Sequence, residues 1–241
     1  MILLGVDCET TGLDTSTDRI IEIGAILYDT EAKTPLHMFS TLIRHPVEDG
    51  YVSPTGIKGE WLRQFGMSLP DAFGEIQRIS SLADVKAAVA HNAENYDKPL
   101  ILAELERNGF QEHFLKTAHW IDSRYDLPFE QPPTSRRLVH LAAEVAGFCN
   151  PFPHRALFDV LTMFKLMDNF DYEKVLEHSK LPWVTARIMV NYENYKIAKD
   201  LRYSYSGPPD KIWTKKVKED QFDAEVKAAE ARGVSVVRLQ A

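Results

Sequence analysis

The chain of 241 residues contains 28 Lys and Arg against 35 Asp and Glu, which gives a formal net charge of −7. Its content of 44% hydrophobic and 26% charged residues is ordinary for a globular protein, and it has no run of about 18 apolar residues. We therefore expect neither a membrane span nor, without a basic leader, a signal peptide. Two cysteines are too few for a disulfide framework and favour a reducing, cytoplasmic compartment.

The charge is distributed unevenly along the chain. Residues 185–241 hold 11 Lys and Arg against 8 Asp and Glu and are +3, whereas residues 1–184 hold the remaining 17 and 27 and are −10. An acidic chain is a poor nonspecific binder of polyanions, but a basic C-terminal segment permits contact with nucleic acid. We predict a domain over residues 1–180 and a small basic module over residues 185–241.

The apolar run at residues 2–6 predicts a buried strand. It leads into the sequence Asp7-Cys8-Glu9-Thr10-Thr11-Gly12-Leu13. Asp7 and Glu9 are two positions apart and therefore point to the same face of the strand. Carboxylates held so close need a shared proton or a divalent cation, and oxygen ligands suit Mg2+ or Mn2+. A bare Asp-x-Glu is more often an acidic strand end in solvent, but the Thr-Thr-Gly-Leu tail makes this match more specific.

The following segments alternate between strand and helix patterns. Residues 19–28 and 37–44 have strand character and short polar connections, which predicts an antiparallel meander with the first strand. Further elements are expected in this order: a helical pattern over residues 60–82 broken at 68–71, a strand at 87–90, a strand at 119–122, a Pro-rich loop at 128–133, and a helix at 135–148 that ends at Gly147.

The strand at residues 87–90 ends in the sequence His91-Asn92-Ala93-Glu94-Asn95-Tyr96-Asp97. On the helix predicted after it, Asp97 shares a stripe with Leu100, Ile101 and Glu104. A carboxylate on an apolar stripe must be paired or bind a metal. The alternative is that Asn95 or Asp97 caps the helix, and this stretch alone favours capping.

A third stretch combines a loop histidine with an aspartate. Prolines at positions 151 and 153 keep the residues before His154 out of a helix, so His154 is expected on a loop. In the helix that follows, Asp159 is the only acid on its apolar stripe. A movable histidine beside a fixed aspartate suits a general base and a metal ligand. A lone His154 would be interpreted as a solvated loop residue, and its spacing to Asp159 favours a site.

Residues 185–241 predict a module of their own with the order β-α-β-β-α-β. The expected elements are strand 186–192, helix 193–201, a hairpin of 203–205 with 212–217, helix 221–232 and strand 234–239. Tyr205, Trp213 and Lys215 would form a stacking platform with basic flanks. The alternative, a small core built on Tyr205 and Trp213, is at least as well supported.

Taken together, Asp7-x-Glu9, Asp97 and His154-x4-Asp159 resemble the four-acid exonuclease superfamily in its histidine subclass, the DEDDh type. This group contains the proofreading epsilon subunit of bacterial DNA polymerase III, exonuclease X and RNase T. The resemblance covers residues 1 to about 170. It implies a ribonuclease-H-like α/β fold, a mixed five-stranded sheet with helices on both faces, beside a small α+β module. It also implies phosphodiester hydrolysis from the 3′ end with two divalent cations.

The resemblance further implies a role for each matching residue. Asp7, Glu9 and Asp159 would hold the first Mg2+ or Mn2+, with Asp7 bridging to the second cation and Asp97 supporting it. His154 would accept the proton of the attacking water. A second group of residues would contact the terminal nucleotide: Thr10, Thr11, Gly12, Leu13, His91 and Asn92.

Substrate and biological role stay open. Single-stranded DNA is the favoured partner and RNA the alternative, because such sites contact mainly backbone and stacked bases. Replication or repair proteins are considered as further partners, and no membrane is expected. The alternative functions are an RNA-directed 3′–5′ exoribonuclease and a noncatalytic module that binds nucleic-acid ends or a polymerase. The presence of all four acids and the histidine argues against the noncatalytic module.

Overall fold

A computed structural model describes residues 1–12, 14, 16–46, 51–52, 55–130 and 133–239. The chain divides into two compact units, Met1–Ser179 and Lys180–Ala241. Both cysteines are free thiols; Cys8 is buried and Cys149 is exposed. Within the described ranges, no helix has both the length and the apolar character needed to cross a membrane.

A mixed five-stranded sheet forms the centre of the first unit. In chain order the strands of this unit are β1 (Ile2–Thr10), β2 (Ile20–Asp29), β3 (Thr34–Leu42), β4 (Tyr51–Val52), β5 (Ile57–Lys58), β6 (Val85–Ala90) and β7 (Trp120–Asp122). The sheet has the order β3-β2-β1-β6-β7, while β4 and β5 pair separately. Strands β1, β6 and β7 are parallel and β1, β2 and β3 form an antiparallel meander, which confirms the predicted sheet.

The helices of the first unit lie between these strands or follow the last of them. They are α1 (Gly59–Phe65), α2 (Leu69–Ser80), α3 (Asp97–Arg107), α4 (Phe114–Thr117), α5 (Leu138–Ala146), α6 (Ala156–Met167) and α7 (Tyr172–Ser179). The predicted break at residues 68–71 is present because Ser68 caps α2 by accepting the Asp71 N–H. Helix α5 begins later than predicted and ends at Gly147, whose φ of 60° is left-handed. Helices α4 and α7 were not predicted from the sequence.

The two faces of the sheet pack into separate hydrophobic cores. Leu4, Val6 and Cys8 of β1 point to one face and pack with residues of α2 and α3. Leu3 points to the other face and packs with residues of β2, α5, α6 and α7. In this core the rings of Tyr28 and Phe164 stack with their centroids 4.0 Å apart. Helices therefore cover both faces of the sheet, as predicted, and every second residue of β1 faces α6.

The second unit is a four-stranded antiparallel sheet with helices. Its elements are β8 (Trp183–Met189), α8 (Tyr195–Asp200), β9 (Ser204–Tyr205), β10 (Trp213–Lys218), a 3-10 turn (Glu219–Gln221), α9 (Phe222–Glu230) and β11 (Ser235–Leu239), with the strand order β11-β8-β10-β9. This is the predicted β-α-β-β-α-β order. Ala186, Ile188, Ala198, Tyr203 and Ala229 form its buried core.

Candidate active site

The carboxyl ends of β1, β6 and β7 lie at one edge of the sheet, because these three strands are parallel. Asp7 and Glu9 are near the end of β1, and residues 91–97 follow β6. Asp122 is the last residue of β7. Open α/β sheets place their ligand sites at such an edge. The topology therefore brings the first two predicted stretches to the same place, although about 80 residues separate them.

The third stretch reaches this edge because α6 packs closely on β2. Gly24, the cross-strand partner of Asp7, lies under the first turn of α6. A Cβ at Gly24 would be 2.6 Å from the Leu157 backbone N and 2.7 Å from the Ala156 carbonyl carbon. Only glycine permits this approach. Gly24 was not predicted as a site residue, although a glycine inside a strand indicates such a close approach.

Glu9, His154 and Asp159 form the central cluster of the site. Each offers one ligand atom, and these atoms all lie within 4.8 Å of one another. The His154 N–H donates to Asp159 Oδ2 at 3.0 Å, and Asn150 Nδ2 donates to Asp159 Oδ1 at 2.7 Å. His154 is exposed, and its φ of 61° is left-handed. The structure therefore has the predicted arrangement of an anchored aspartate beside an exposed loop histidine.

Asp97 lies beside β1 at the start of α3. It is 2% exposed, and its Oδ1 accepts the Cys8 N–H at 3.2 Å. The N-cap of α3 is Tyr96, which makes no side-chain capping bond, so Asn95 is not the cap, and Asp97 is the acid in the first turn of the helix. Leu100, Ile101 and Glu104 are buried on the predicted stripe. The Asp97 carboxylate is thus directed toward the strand that carries Asp7 and Glu9.

Burial and mutual repulsion raise the pKa values of these carboxyl groups. Burial holds the pKa of Asp7 well above its ordinary range, with Asp97 and Asp159 as the next causes. Burial, together with the charges of Asp159 and Glu22, raises the pKa of Glu9 to about 8. Burial also raises the pKa of Asp97 to about 7 and that of Asp159 to about 6. Crowded carboxylates beside one imidazole are a donor set that fits divalent cations such as Mg2+ or Mn2+.

An ion pair between buried Glu22 and partly exposed Arg155, which was not predicted from the sequence, holds the start of α6. Glu22 is 2% exposed and is the cross-strand partner of Glu9. Arg155 donates to it through Nη2 at 2.8 Å and through Nε at 3.1 Å, and the Ala156 N–H donates at 3.2 Å. The guanidinium therefore compensates one carboxylate beside the cluster and holds the backbone next to His154.

The residues after Asp7-x-Glu9 form a hydrogen-bonded turn. Tyr96 Oη donates to the Gly12 carbonyl at 2.8 Å and is also hydrogen-bonded to Thr10 Oγ1. Thr11 Oγ1 donates to Asp18 Oδ1 at 2.7 Å. A Cβ at Gly12 would lie 2.6 Å from Asp18 Oδ2, so a neighbouring carboxylate occupies the space that a side chain would need. Leu13, predicted to contact the base, lies outside the described residues.

His91 and Asn92 lie at the same edge but hydrogen-bond within the protein. Ser123 Oγ donates to His91 Nδ1 at 2.9 Å, and His91 Nε2 donates to the Arg136 carbonyl at 3.0 Å. Burial lowers the pKa of His91 to about 4, which agrees with this neutral tautomer. The Asn92 N–H donates to Asp122 Oδ1 at 2.9 Å. His91 therefore has no ring nitrogen left for a nucleotide, which limits its predicted contact to the ring carbons.

Asp122 is a further acid at this edge that the sequence analysis did not assign. It is 1% exposed and accepts the backbone N–H groups of Asn92, Glu94 and Arg124. Burial raises its pKa to about 6. These bonds fix the backbone between β6 and α3, so Asp122 helps to position Asp97.

Comparisons with known proteins agree with this geometry. Residues 4–167 match the RNase T family model described as Exonuclease. No curated protein matches the sequence. A solved structure of exonuclease I is 20% identical with a TM-score of 0.57, and the match covers 73% of this chain and 42% of that one. The zinc-bound complex of Escherichia coli exonuclease I with single-stranded DNA is 16% identical with a TM-score of 0.61, covering 100% and 65%.

A smaller nuclease matches over most of its own length. The nuclease domain of 3′hExo, a DEDDh family member bound to rAMP, is 16% identical with a TM-score of 0.55, and the match covers 69% of this chain and 90% of that one. At these identities the solved structures show a shared fold. The chain spans less than two thirds of the exonuclease I structures described above.

Proposed function

Because this chain belongs to the exonuclease family, whose model matches residues 4–167, we propose that it hydrolyses phosphodiester bonds from the 3′ end of nucleic acid in a metal-dependent reaction. The observation that carries this proposal is the convergence of Glu9, His154 and Asp159 ligand atoms within 4.8 Å. Single-stranded DNA is the proposed substrate. The complexes of exonuclease I with single-stranded DNA and with dA oligonucleotides support this choice.

The acidic residues are proposed to hold two divalent cations, Mg2+ or Mn2+. Asp7, Glu9 and Asp159 would hold the first cation, while Asp7 and Asp97 would hold the second. When bound, such cations lower the pKa of water and stabilise charge on the leaving oxygen. Burial, and after it the charge of neighbouring carboxylates, raises the pKa values of Glu9 and Asp97 when no cation is bound.

His154 is the proposed general base. Its ring is exposed while its backbone is held by Asp159, so the imidazole can turn toward a water molecule at the cluster without moving the aspartate. Thr10, Thr11, Gly12 and Asn92 are proposed to contact the terminal nucleotide. The hydrogen bonds around Gly12 hold its backbone in place for such a contact.

RNA is a second candidate substrate. The observation that favours it is that the 3′hExo nuclease domain, which shares the fold, binds rAMP. A protein distinguishes RNA from DNA by contacts to the 2′-hydroxyl group. The choice between the two substrates therefore needs direct measurement.

The test is the degradation of matched DNA and RNA single strands, labelled at the 3′ or the 5′ end, with Mg2+, Mn2+ or EDTA. We expect metal-dependent laddering from the 3′ end, faster with DNA, and its loss in Asp7→Asn. Asp84→Asn is the matched control because the Asp84 side chain is 83% exposed in a surface ion pair. Intact oligonucleotides with the wild-type protein and metal would overturn the proposal and favour the noncatalytic alternative.

A further inference from the structure

Four aromatic side chains form a continuous row in the second unit. Tyr192, Tyr195, Trp213 and Tyr205 follow one another with ring centroids 6.2, 6.3 and 5.2 Å apart. The rings of Tyr195 and Trp213 are stacked, with 24° between their planes. We refer to these four residues as the aromatic row.

Regular secondary structure holds the aromatic row in place. Tyr205 and Trp213 are direct cross-strand partners on β9 and β10, so their side chains share one face of the sheet. Tyr195 begins α8 and packs on Trp213. Tyr192 lies in a turn where Asn191 Oδ1 accepts two backbone N–H groups at 2.9 and 3.1 Å. The rings at both ends are therefore presented by ordered backbone.

The aromatic row is more exposed than a core requires. Tyr192 is 91% exposed and Tyr205 is 49% exposed, whereas the core of this unit is built from other residues, including the buried Tyr203. Trp213 alone also packs partly against that core. The small-core alternative from the sequence thus accounts for one side of Trp213 and leaves Tyr192 and Tyr205 unexplained.

The segment that carries the aromatic row is rich in positively charged residues. Residues 191–216 contain six Lys and Arg against three Asp and Glu, in a chain with a net charge of −7. Lys199 Nζ lies 5.1 Å from the centre of the Tyr195 ring, one helical turn along α8. Lys215, which the sequence analysis placed in a platform, instead pairs with Glu225 and lies over Tyr203. Exposed rings with flanking cations match a ligand that offers flat bases and phosphates.

We propose that the aromatic row binds single-stranded nucleic acid by stacking its rings on successive bases, with Lys199 near the phosphates. The inference deepens the proposed function, on which it rests for the choice of nucleic acid as ligand. Stacking on aromatic side chains tolerates any base, because every base has a flat π-face. The row would thus be a sequence-independent contact on the second unit.

The test measures equilibrium binding to the full chain in EDTA, so that strands are held without metal-dependent cleavage. The probes are oligothymidylate and a strand of equal length whose sugars lack bases. Binding of each probe is measured by fluorescence anisotropy. We expect Tyr192→Ala/Tyr205→Ala to bind oligothymidylate roughly tenfold more weakly and the abasic strand unchanged. The matched control, Tyr192→Phe/Tyr205→Phe, keeps the rings and should bind as the wild type does. Quenching of Trp213 emission by oligothymidylate, absent in Trp213→Phe, would support stacking directly.

Two results would overturn the inference. One is equal wild-type affinity for oligothymidylate and the abasic strand, which would mean that only phosphates are contacted. The other is unchanged affinity in Tyr192→Ala/Tyr205→Ala. Both readouts are independent of cleavage, so a protein that stacks bases but never cleaves would refute only the proposed function. A protein that cleaves, but whose affinity does not depend on the aromatic row, would refute only this inference.

Discussion

At the residue scale, the site carboxyl groups make the stability of the metal-free protein depend on pH. Burial raises the pKa of Glu9 to about 8, above its ordinary value of about 4.3. A group whose pKa is raised in the folded state favours folding while it is protonated. That contribution is complete below the ordinary pKa and is lost as the pH rises through the raised value. Asp97 and Asp159, with pKa values of about 7 and 6, act in the same direction.

We therefore expect the Tm of the protein in EDTA to fall as the pH rises from about 5 to about 9, and Mg2+ to reverse the loss. Glu9→Gln removes one of the repelling charges and should raise the Tm at the alkaline end by several degrees, since ~1 kcal/mol corresponds to roughly 2–4 °C in a chain of this size. Differential scanning fluorimetry measures this. Glu112→Gln, at an exposed position, is the control. Parallel Tm curves for wild type and Glu9→Gln would contradict the expectation.

His154 offers a second prediction because its backbone and its ring can be tested separately. Its φ of 61° strains any residue other than glycine. His154→Ala and His154→Gly both remove the imidazole and should lower kcat by roughly 10²–10⁴. His154→Gly should also relieve the backbone and give the higher Tm of the two. Steady-state kinetics and thermal melts on both variants measure these effects, and a wild-type kcat in either one would remove His154 from the mechanism.

At the scale of elements, the contact between α6 and β2 positions the third stretch. A Cβ at Gly24 would lie 2.6 Å from backbone rather than from a flexible side chain, so the helix must shift to accommodate it. We expect Gly24→Ala to cost about 1–3 kcal/mol and to lower kcat, because Asp159 and His154 move with α6. Urea unfolding and kinetics test this.

Gly74→Ala is the matched control for this substitution. Gly74 lies inside α2, and a Cβ there would meet no atom within 4 Å. Alanine at an open helical position should add about 0.5–1 kcal/mol without changing activity. If Gly24→Ala behaved like Gly74→Ala, the close approach of α6 would not be required for the site.

The elements also show what local sequence can and cannot predict. The strands β1, β2, β3 and β6 follow from their apolar runs, and the loop at His154 follows from its flanking prolines. The pairing of Glu22 with Arg155 has no local signal, because 133 positions separate the two residues. Asp122 is likewise defined by backbone N–H groups of another connection. Helix α7 was missed although its buried residues Tyr172, Val175 and Ser179 follow a helical spacing, so here the local pattern was present in the sequence and was not used.

At the scale of the whole molecule, the two units carry net charges of opposite sign. Lys180–Ala241 holds 12 Lys and Arg against 8 Asp and Glu and is +4, which leaves −11 for Met1–Ser179. An acidic catalytic unit repels a polyanion until cations neutralise part of its charge. The basic second unit presents no such repulsion to a polyanion. Composition alone predicted this asymmetry, and the hairpin pattern predicted Tyr205 and Trp213 as part of a platform. Tyr192 and Tyr195 could be added only from the fold, since α8 and β10 meet only in three dimensions.

The two thiols differ in exposure, so that one of them can be labelled selectively near the site. Burial holds the pKa of Cys8 well above its ordinary range, so this thiol stays protonated and shielded. Cys149 is exposed and directly precedes Asn150, which donates to Asp159. A maleimide fluorophore would therefore attach at a single natural position, next to the loop that carries His154. A fluorophore on Cys149 would therefore report movements of this loop when metal or substrate binds, without any substitution in the sequence.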